Sequence, residues 1–223
     1  MNYLFDTTKS TPLCEIMGRH KSDKGSMNMG SSWHNYTLFY YSIFKDLREK
    51  ELRVFELGLG TNNVNILSNM GPEGTPGASL FGWSEFFFNS HIFGADIDTD
   101  ILFNTDKIKT FYCDQTNPEI IKKMWVEPEL QDNFDIIIED GLHTFDANVC
   151  FFENSIHKLK PNGYFIIEDI SNSEEHLFEN KIKEWENQYK DCIFALLKIP
   201  FHNPFDNNLL VVFKSELKNV CPL

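Results

Sequence analysis

Basic residues are scarce in this chain. Twenty lysines and arginines stand against 33 aspartates and glutamates, a formal net charge of −13. A protein so acidic gains nothing from a phosphate backbone or an anionic lipid surface, which excludes nucleic acid and membranes as main partners. Cysteine is sparse too: Cys14, Cys113, Cys150, Cys192 and Cys221 are odd in number, and no two are spaced C-x-x-C. That pattern reads as reduced thiols in a reducing compartment, with Cys113 and Cys192 in strands. No run approaches the ~20 apolar residues of a membrane span. Asp6, Lys9, Glu15 and Arg19 break up any signal-peptide core. Internal repeats and low-complexity linkers are also missing. The expectation is a soluble cytoplasmic protein with no nucleic-acid or membrane partner.

What is present suits one domain with a terminal extension. The 223 residues are 42% hydrophobic and include 21 phenylalanines, enough for a large aromatic core. Leu13 to Met17 reads as a short helix, Arg19 to Gly25 as a polar turn, and Ser26 to Ser32 as a small-residue, flexible stretch. From Trp33 to Lys50, aromatic residues and Leu recur at helical spacing, predicting an amphipathic helix. Strands are expected at Arg53–Leu57, His91–Asp96, Ile108–Cys113, Phe134–Glu139 and Tyr164–Ile167. Helices are expected over 78–89, 118–125, 147–159 and 174–189, the third ended by Pro161-Asn-Gly163. Cys192–Lys198 and Leu209–Lys214 close the chain as an antiparallel pair. The fold class is α/β: a Rossmann-like open sheet of about seven strands, mostly parallel, with helices on both faces. Residues 1–50 form an N-terminal helical extension or cap, and 51–223 the main domain.

Several expected strands end abruptly in acid or glycine. Phe134-Asp-Ile-Ile-Ile-Glu-Asp140 is followed closely by His143, and Gly163-Tyr-Phe-Ile-Ile-Glu-Asp169 echoes it. Gly58, Gly60, Asp96, Asp114, Gln115, Asp140, His143, Glu168 and Asp169 all fall at carboxyl ends of strands, where open α/β sheets bind ligands. Core packing gives no reason for that convergence. Asp140, Glu168 and Asp169 on neighbouring strands would repel one another, so something positive is expected among them, a metal ion being the working choice. Oxygen-only donors suit a hard cation such as Mg2+, and no Cys or second His stands by to suggest zinc. Glu139, inside the strand end, is expected to be structural. Asp96 can accept both hydroxyls of a ribose, with Asp98 a close competitor. Asp114-Gln115 can reach an adenine edge or serve as a solvated turn. Glu56-Leu-Gly-Leu-Gly60 lets backbone approach a ligand. It does not complete G-x-G-x-x-G, because Asn63 holds the last position, and Asp96 lies 36 residues after Gly60, beyond the ~20 usual for a nicotinamide site. Lys24 can meet a carboxylate or phosphate, with a solvated lysine the favoured reading. Packing within a helix accounts for His34 and Tyr36 as well as a ligand role does.

Four segments carry a resemblance: Lys21-Ser-Asp-Lys-Gly25, Pro76-Gly-Ala-Ser-Leu-Phe-Gly-Trp83, Glu139-Asp-Gly-Leu-His143 and Tyr164-Phe-Ile-Ile-Glu-Asp169. Together with E-x-G-x-G after the first strand, they resemble the class I S-adenosylmethionine-dependent methyltransferases. Within these, they are similar to the metal-dependent O-methyltransferases of the macrocin, mycinamicin and cephamycin type. The likeness spans about residues 15–170, and Glu139 and Ser22 stand where Asp and Thr are common. The resemblance implies S-adenosyl-L-methionine and Mg2+ as cofactors and methyl transfer to a hydroxyl of a sugar or sugar-containing metabolite. Nucleotide-sugar, surface-polysaccharide and natural-product biosynthesis are all open. It implies cofactor contacts at Glu56, Gly58, Gly60, Ser79, Asp96, Asp98, Asp114, Gln115 and Asp140. Metal ligands would be Asp140, Glu168 and Asp169, and His143 the base beside Asp140. The group often forms homo-oligomers, with the aromatic N-terminal helix as an available interface. Competing readings are a nicotinamide-dependent oxidoreductase and a non-catalytic cofactor-binding protein of the same fold.

Overall fold

The computed structural model describes residues 9–25, 34–199, 203 and 205–216. Trp33, Cys221 and the stretch Ser26 to Ser32 lie outside them. One sheet runs through the molecule: β1 (Arg53–Leu57), β2 (His91–Asp96), β3 (Ile108–Tyr112), β4 (Phe134–Glu139), β5 (Leu159–Ile167), β6 (Cys192–Lys198) and β7 (Asn208–Lys214). Their order across the sheet is β3-β2-β1-β4-β5-β7-β6. The first five strands are parallel, and β7 enters antiparallel between β5 and β6. The order reverses between β1 and β4, so the loops leaving their carboxyl ends diverge and open a crevice.

Alternation along each strand divides the core in two. Val54, Ile92, Ile136, Ile138 and Ile166 face α1 (Pro12–Arg19), α2 (Tyr36–Phe44) and α3 (Ala78–Phe86). Phe55, Phe93, Ile137, Phe165 and Ile167 face α4 (Pro118–Trp125), α5 (Phe145–Ser155) and α6 (Glu175–Gln188). α1 begins on Thr11, whose side chain accepts from the Cys14 N–H, with Pro12 in the first turn where its missing donor costs nothing. α4 repeats the device with Asn117 and Pro118.

Two expected elements differ. α2 is shorter than the aromatic stretch suggested and is not amphipathic, because Tyr36 through Tyr40 are all buried. It is covered by α1 and α3 and by the acidic centre described below, so no side of its first turns faces water. The expected helix over 147–159 is α5, which starts at Phe145 and ends at Ser155, followed by a 3-10 turn over Ile156–Lys158. Leu159 already belongs to β5 and is fully buried. Pro161-Asn-Gly163 therefore does not end the helix. It forms a bulge inside β5, with the pairing jumping from Phe134↔Leu159 to Ile136↔Tyr164 and Asn162 at φ 61°.

Candidate active site

The crevice holds a cavity of about 760 Å³ above the ends of β1 to β4. Gly58 shapes its floor: its φ is 89°, and a Cβ there would lie 1.8 Å from the Asp140 carbonyl oxygen. Only glycine permits that approach. Gly60 and Ser79 also line the cavity. Asp96, at the tip of β2, lines it as well. Its Oδ2 accepts the Leu59 N–H at 2.7 Å and its Oδ1 the Asp98 N–H at 2.8 Å. Burial raises its pKa, and those backbone donors oppose the rise. Each oxygen keeps a further lone pair for a hydroxyl. Asp98 is turned away: it accepts from Thr61 and caps a short 3-10 turn through the Asp100 N–H at 3.1 Å. Of the two competitors, only Asp96 faces the cavity.

Asp114 and Gln115 follow β3 and line the same space. Asp114 accepts from the Thr116 N–H and hydroxyl at 2.9 and 2.6 Å. The Gln115 amide is already committed, donating to Glu139 Oε1 at 3.0 Å and accepting the Leu142 N–H at 2.7 Å. It holds the turn that carries Asp140 and His143. Glu139, fully buried, also accepts from Asn148 at 2.6 Å, and burial pushes its carboxyl up to about 7. The structural part expected of it fits. Glu56 lies outside the cavity lining, because its strand position points it toward α3, where Ser79 and the Trp83 indole donate to it.

At one rim stands the acidic centre. Asp140 follows β4 and Glu168-Asp169 follow β5, tied together where Glu168 N–H donates to Glu139 O at 2.9 Å. His143 lies between two carboxylates, Nε2 3.1 Å from Asp140 Oδ1 and Nδ1 3.4 Å from Asp169 Oδ2. Burial disfavours its charged form, but Asp169 and Asp140 outweigh burial and push the imidazole up to about 10. His143 and Asp169 both sit at left-handed φ, 58° and 56°. Such backbone at non-glycine residues concentrates where side chains must be aimed. Asp140, His143 and Asp169 can each offer a ligand atom within 4.8 Å of the others.

Four further side chains join the acidic centre. Lys24, expected to be solvated, is 1% exposed. Its Nζ lies 2.5 Å from Asp140 Oδ2, 2.6 Å from Glu168 Oε2 and 3.6 Å from Glu56 Oε1. The favoured reading failed because nothing near Lys24 in the chain announces that Glu56, Asp140 and Glu168 reach it from distant strand ends. Tyr36 donates to Asp169 Oδ1 at 2.7 Å, and Tyr40 donates to Glu168 Oε1. Their signal was present: two phenols one helical turn apart in an otherwise apolar stretch need buried partners. His34 stacks on Tyr36 and lies 3.4 Å from Asp169 Oδ1.

A mostly parallel sheet with an inserted antiparallel strand and a crevice lined by Asp96 and the Gly58 turn is the Rossmann-like fold of methyltransferases. The chain belongs to the methyltransferase-domain family, whose model matches residues 49–214. Among curated relatives, it is 29% identical over 164 residues to the 8-demethyl-8-(2-methoxy-alpha-L-rhamnosyl)-tetracenomycin-C 3'-O-methyltransferase of Streptomyces olivaceus, covering 74% of this chain and 38% of that one. It is also 29% identical to the demethylmacrocin O-methyltransferase of Streptomyces fradiae, again over 74% and 38% of the two chains. Among solved structures, MycE methyltransferase of the mycinamycin pathway, in complex with Mg, SAH and mycinamycin VI, superposes with a TM-score of 0.69 at 23% identity. That match covers 96% of this chain and 58% of MycE. The chain thus spans about two fifths of the curated relatives it matches.

Proposed function

We propose that the chain binds S-adenosyl-L-methionine and, with a divalent cation such as Mg2+, methylates a sugar hydroxyl on a glycosylated small molecule. One observation carries this: Asp140, His143 and Asp169 converge within 4.8 Å at the rim of the same cavity that Asp96 lines. The names of the relatives support the acceptor class: one is the 3'-O-methyltransferase of a rhamnosyl-tetracenomycin and another a demethylmacrocin O-methyltransferase. A net charge of −13 supports a small-molecule acceptor over nucleic acid. No described helix is long and apolar enough to cross a membrane, and the described cysteines are free, which supports the cytoplasm as its place. Residues 1–50 would act as a cap, supported by Lys24 and by Tyr36 and Tyr40 of α2, which reach the acidic centre, with 51–223 as the cofactor-binding unit.

The donor set fits a hard cation. Asp140 and Asp169 keep carboxylate oxygens toward His143, and waters or acceptor hydroxyls would fill the remaining positions. Glu168 fits less well, since Tyr40 and Lys24 hold both of its oxygens. When bound, the cation would supply positive charge that acidifies the acceptor hydroxyl, and the cofactor an electrophilic methyl. The chain's own part is orientation and proton transfer. Asp96 receives the ribose hydroxyls, Gly58 and Gly60 let the backbone close on the ligand, and Asp114 faces the base. His143 accepts the hydroxyl proton at a ring nitrogen. Its hold by Asp140 and Asp169 must be relieved first, which is what positive charge beside those carboxylates would do.

The test is methyl transfer from labelled cofactor to a panel of glycosides and nucleotide sugars, with Mg2+ or with EDTA. Transfer to a sugar hydroxyl that stops in EDTA is the expected result. Undiminished transfer in EDTA would remove the cation from the reading, and binding of NAD in place of S-adenosylhomocysteine would remove the reading itself.

A further inference from the structure

The methyl-transfer reading gives Lys24 no role. A buried ammonium loses its hydration, and it persists only where carboxylates replace that water. Here it meets carboxylates from three different strand ends: Glu56 from β1, Asp140 after β4 and Glu168 after β5. Its own backbone carbonyl accepts the Thr37 N–H at 3.2 Å, which ties the lysine turn to α2. From α2, Tyr40 donates to the second oxygen of Glu168. Both oxygens of Glu168 are therefore held by donors of the fold, whereas Asp140 and Asp169 each present an oxygen to His143. Without Lys24, buried Glu56 and Glu168 would be left with the neutral donors Ser79, Trp83 and Tyr40, and Asp140 with His143.

We propose that Lys24 is the tethered counter-ion of the acidic centre: its single positive charge offsets the repulsion among Glu56, Asp140 and Glu168, and it commits Glu168 to the fold. The lysine thereby acts as a positioning residue, fixing Asp140 Oδ2 so that Oδ1 faces His143. Its charge matters more than its volume. Only the cation-response arm of the test rests on the metal reading above.

The experiment melts the full chain in EDTA and in MnCl2, as parent, Lys24→Met and Lys24→Met/Glu168→Gln. The double variant restores the parent's charge balance and leaves Tyr40 an oxygen to donate to. In EDTA, Lys24→Met should melt roughly 10 °C below the parent, the scale of a broken buried ion pair in a chain this size. The double variant should regain at least half of that loss, which a lysine needed only for packing would not allow. Mn2+ should raise the melting temperature of Lys24→Met more than that of the parent, because it supplies the missing charge. The assignment is overturned if Lys24→Met melts with the parent in EDTA, or if the double variant is no better than the single. Should Lys24→Met yield no folded protein, a folded double variant supports the proposal and an unfolded one overturns it. If Mn2+ shifts none of the three and its spin-resonance signal shows no binding, the metal reading fails, and the EDTA melts still decide the counter-ion.

Discussion

Asp140 makes a different contact with each part of its structure. Its N–H closes on the Leu57 carbonyl at 2.9 Å, its Oδ2 meets Lys24, and its Oδ1 faces His143. Burial opposes its ionisation, but Lys24 and His143 hold the carboxyl below the usual range. Asp140→Asn keeps the shape and removes the charge. It should weaken Mn2+ binding, read by calorimetry, at least tenfold, since one of two cation-facing carboxylates is lost. His143→Ala should behave differently: S-adenosylhomocysteine binding stays within about threefold, while turnover falls on the order of 10²-fold or more. Equal turnover in that variant would mean another group takes the proton. The strand-end acids were legible in sequence because an apolar run that stops at a carboxylate has one structural explanation, a sheet rim. Lys24 was not legible, because what buries it is closure of residues 116 positions apart. The separation of Asp96 from Asp98 also needed coordinates. Asp96 ends β2 and Asp98 lies just beyond it, and only the turn that gives Asp98 to Thr61 and Asp100 decides between them.

Among elements, the close approach of the β1 turn to the β4 turn sets the site. The Gly58 position combines a left-handed φ with backbone contact, so Gly58→Ala must push Asp140 away. A loss of roughly 3 kcal/mol or more in denaturant unfolding is expected, together with loss of cofactor binding. α2 contributes from the other side. Tyr40→Phe would leave Glu168 Oε1 buried without its donor and should cost about 1–3 kcal/mol in the same measurement. A Tyr40→Phe protein as stable as the parent would show that the phenol does not support Glu168. Sequence periodicity placed α2 but mistook its character, since aromatic spacing alone does not reveal that neighbours cover both sides. It also misread Pro161-Asn-Gly163, because the same residues that end helices also form bulges, and only pairing with β4 separates the two. The insertion of β7 between β5 and β6 has no local signature at all, for a hairpin partner pairs the same way on either side.

Taken whole, the molecule divides its work between two packed faces and one open edge. The aromatic clusters on each side of the sheet are continuous, with Trp83, Tyr40 and Phe44 on one and Trp125, Phe152 and Trp185 on the other. The polar groups that resist burial are gathered at the strand ends. The cavity is bounded there by turns after β1 to β4 and by the stretch from Thr61 to Thr75, which contributes Ile66, Leu67 and Met70 and touches the Leu142 carbonyl through Ser68 at 2.9 Å. A ligand in that cavity adds contacts among turns from several strands, so it should stabilise the entire cooperative unit. For a ligand binding only the folded state at 100 times its Kd, mass action supplies about 2.7 kcal/mol, or a rise in Tm of roughly 5–10 °C for a chain of this length. S-adenosylhomocysteine should give that shift in a thermal melt. NAD at the same concentration should not, because Asn63 stands where the dinucleotide fingerprint requires its last glycine. Asp96→Ala should abolish the S-adenosylhomocysteine shift while leaving the unliganded melt within a few degrees of the parent. An Asp96→Ala protein with an undiminished shift would place the ribose elsewhere, and a shift with NAD alone would replace the methyltransferase reading of the crevice with an oxidoreductase one.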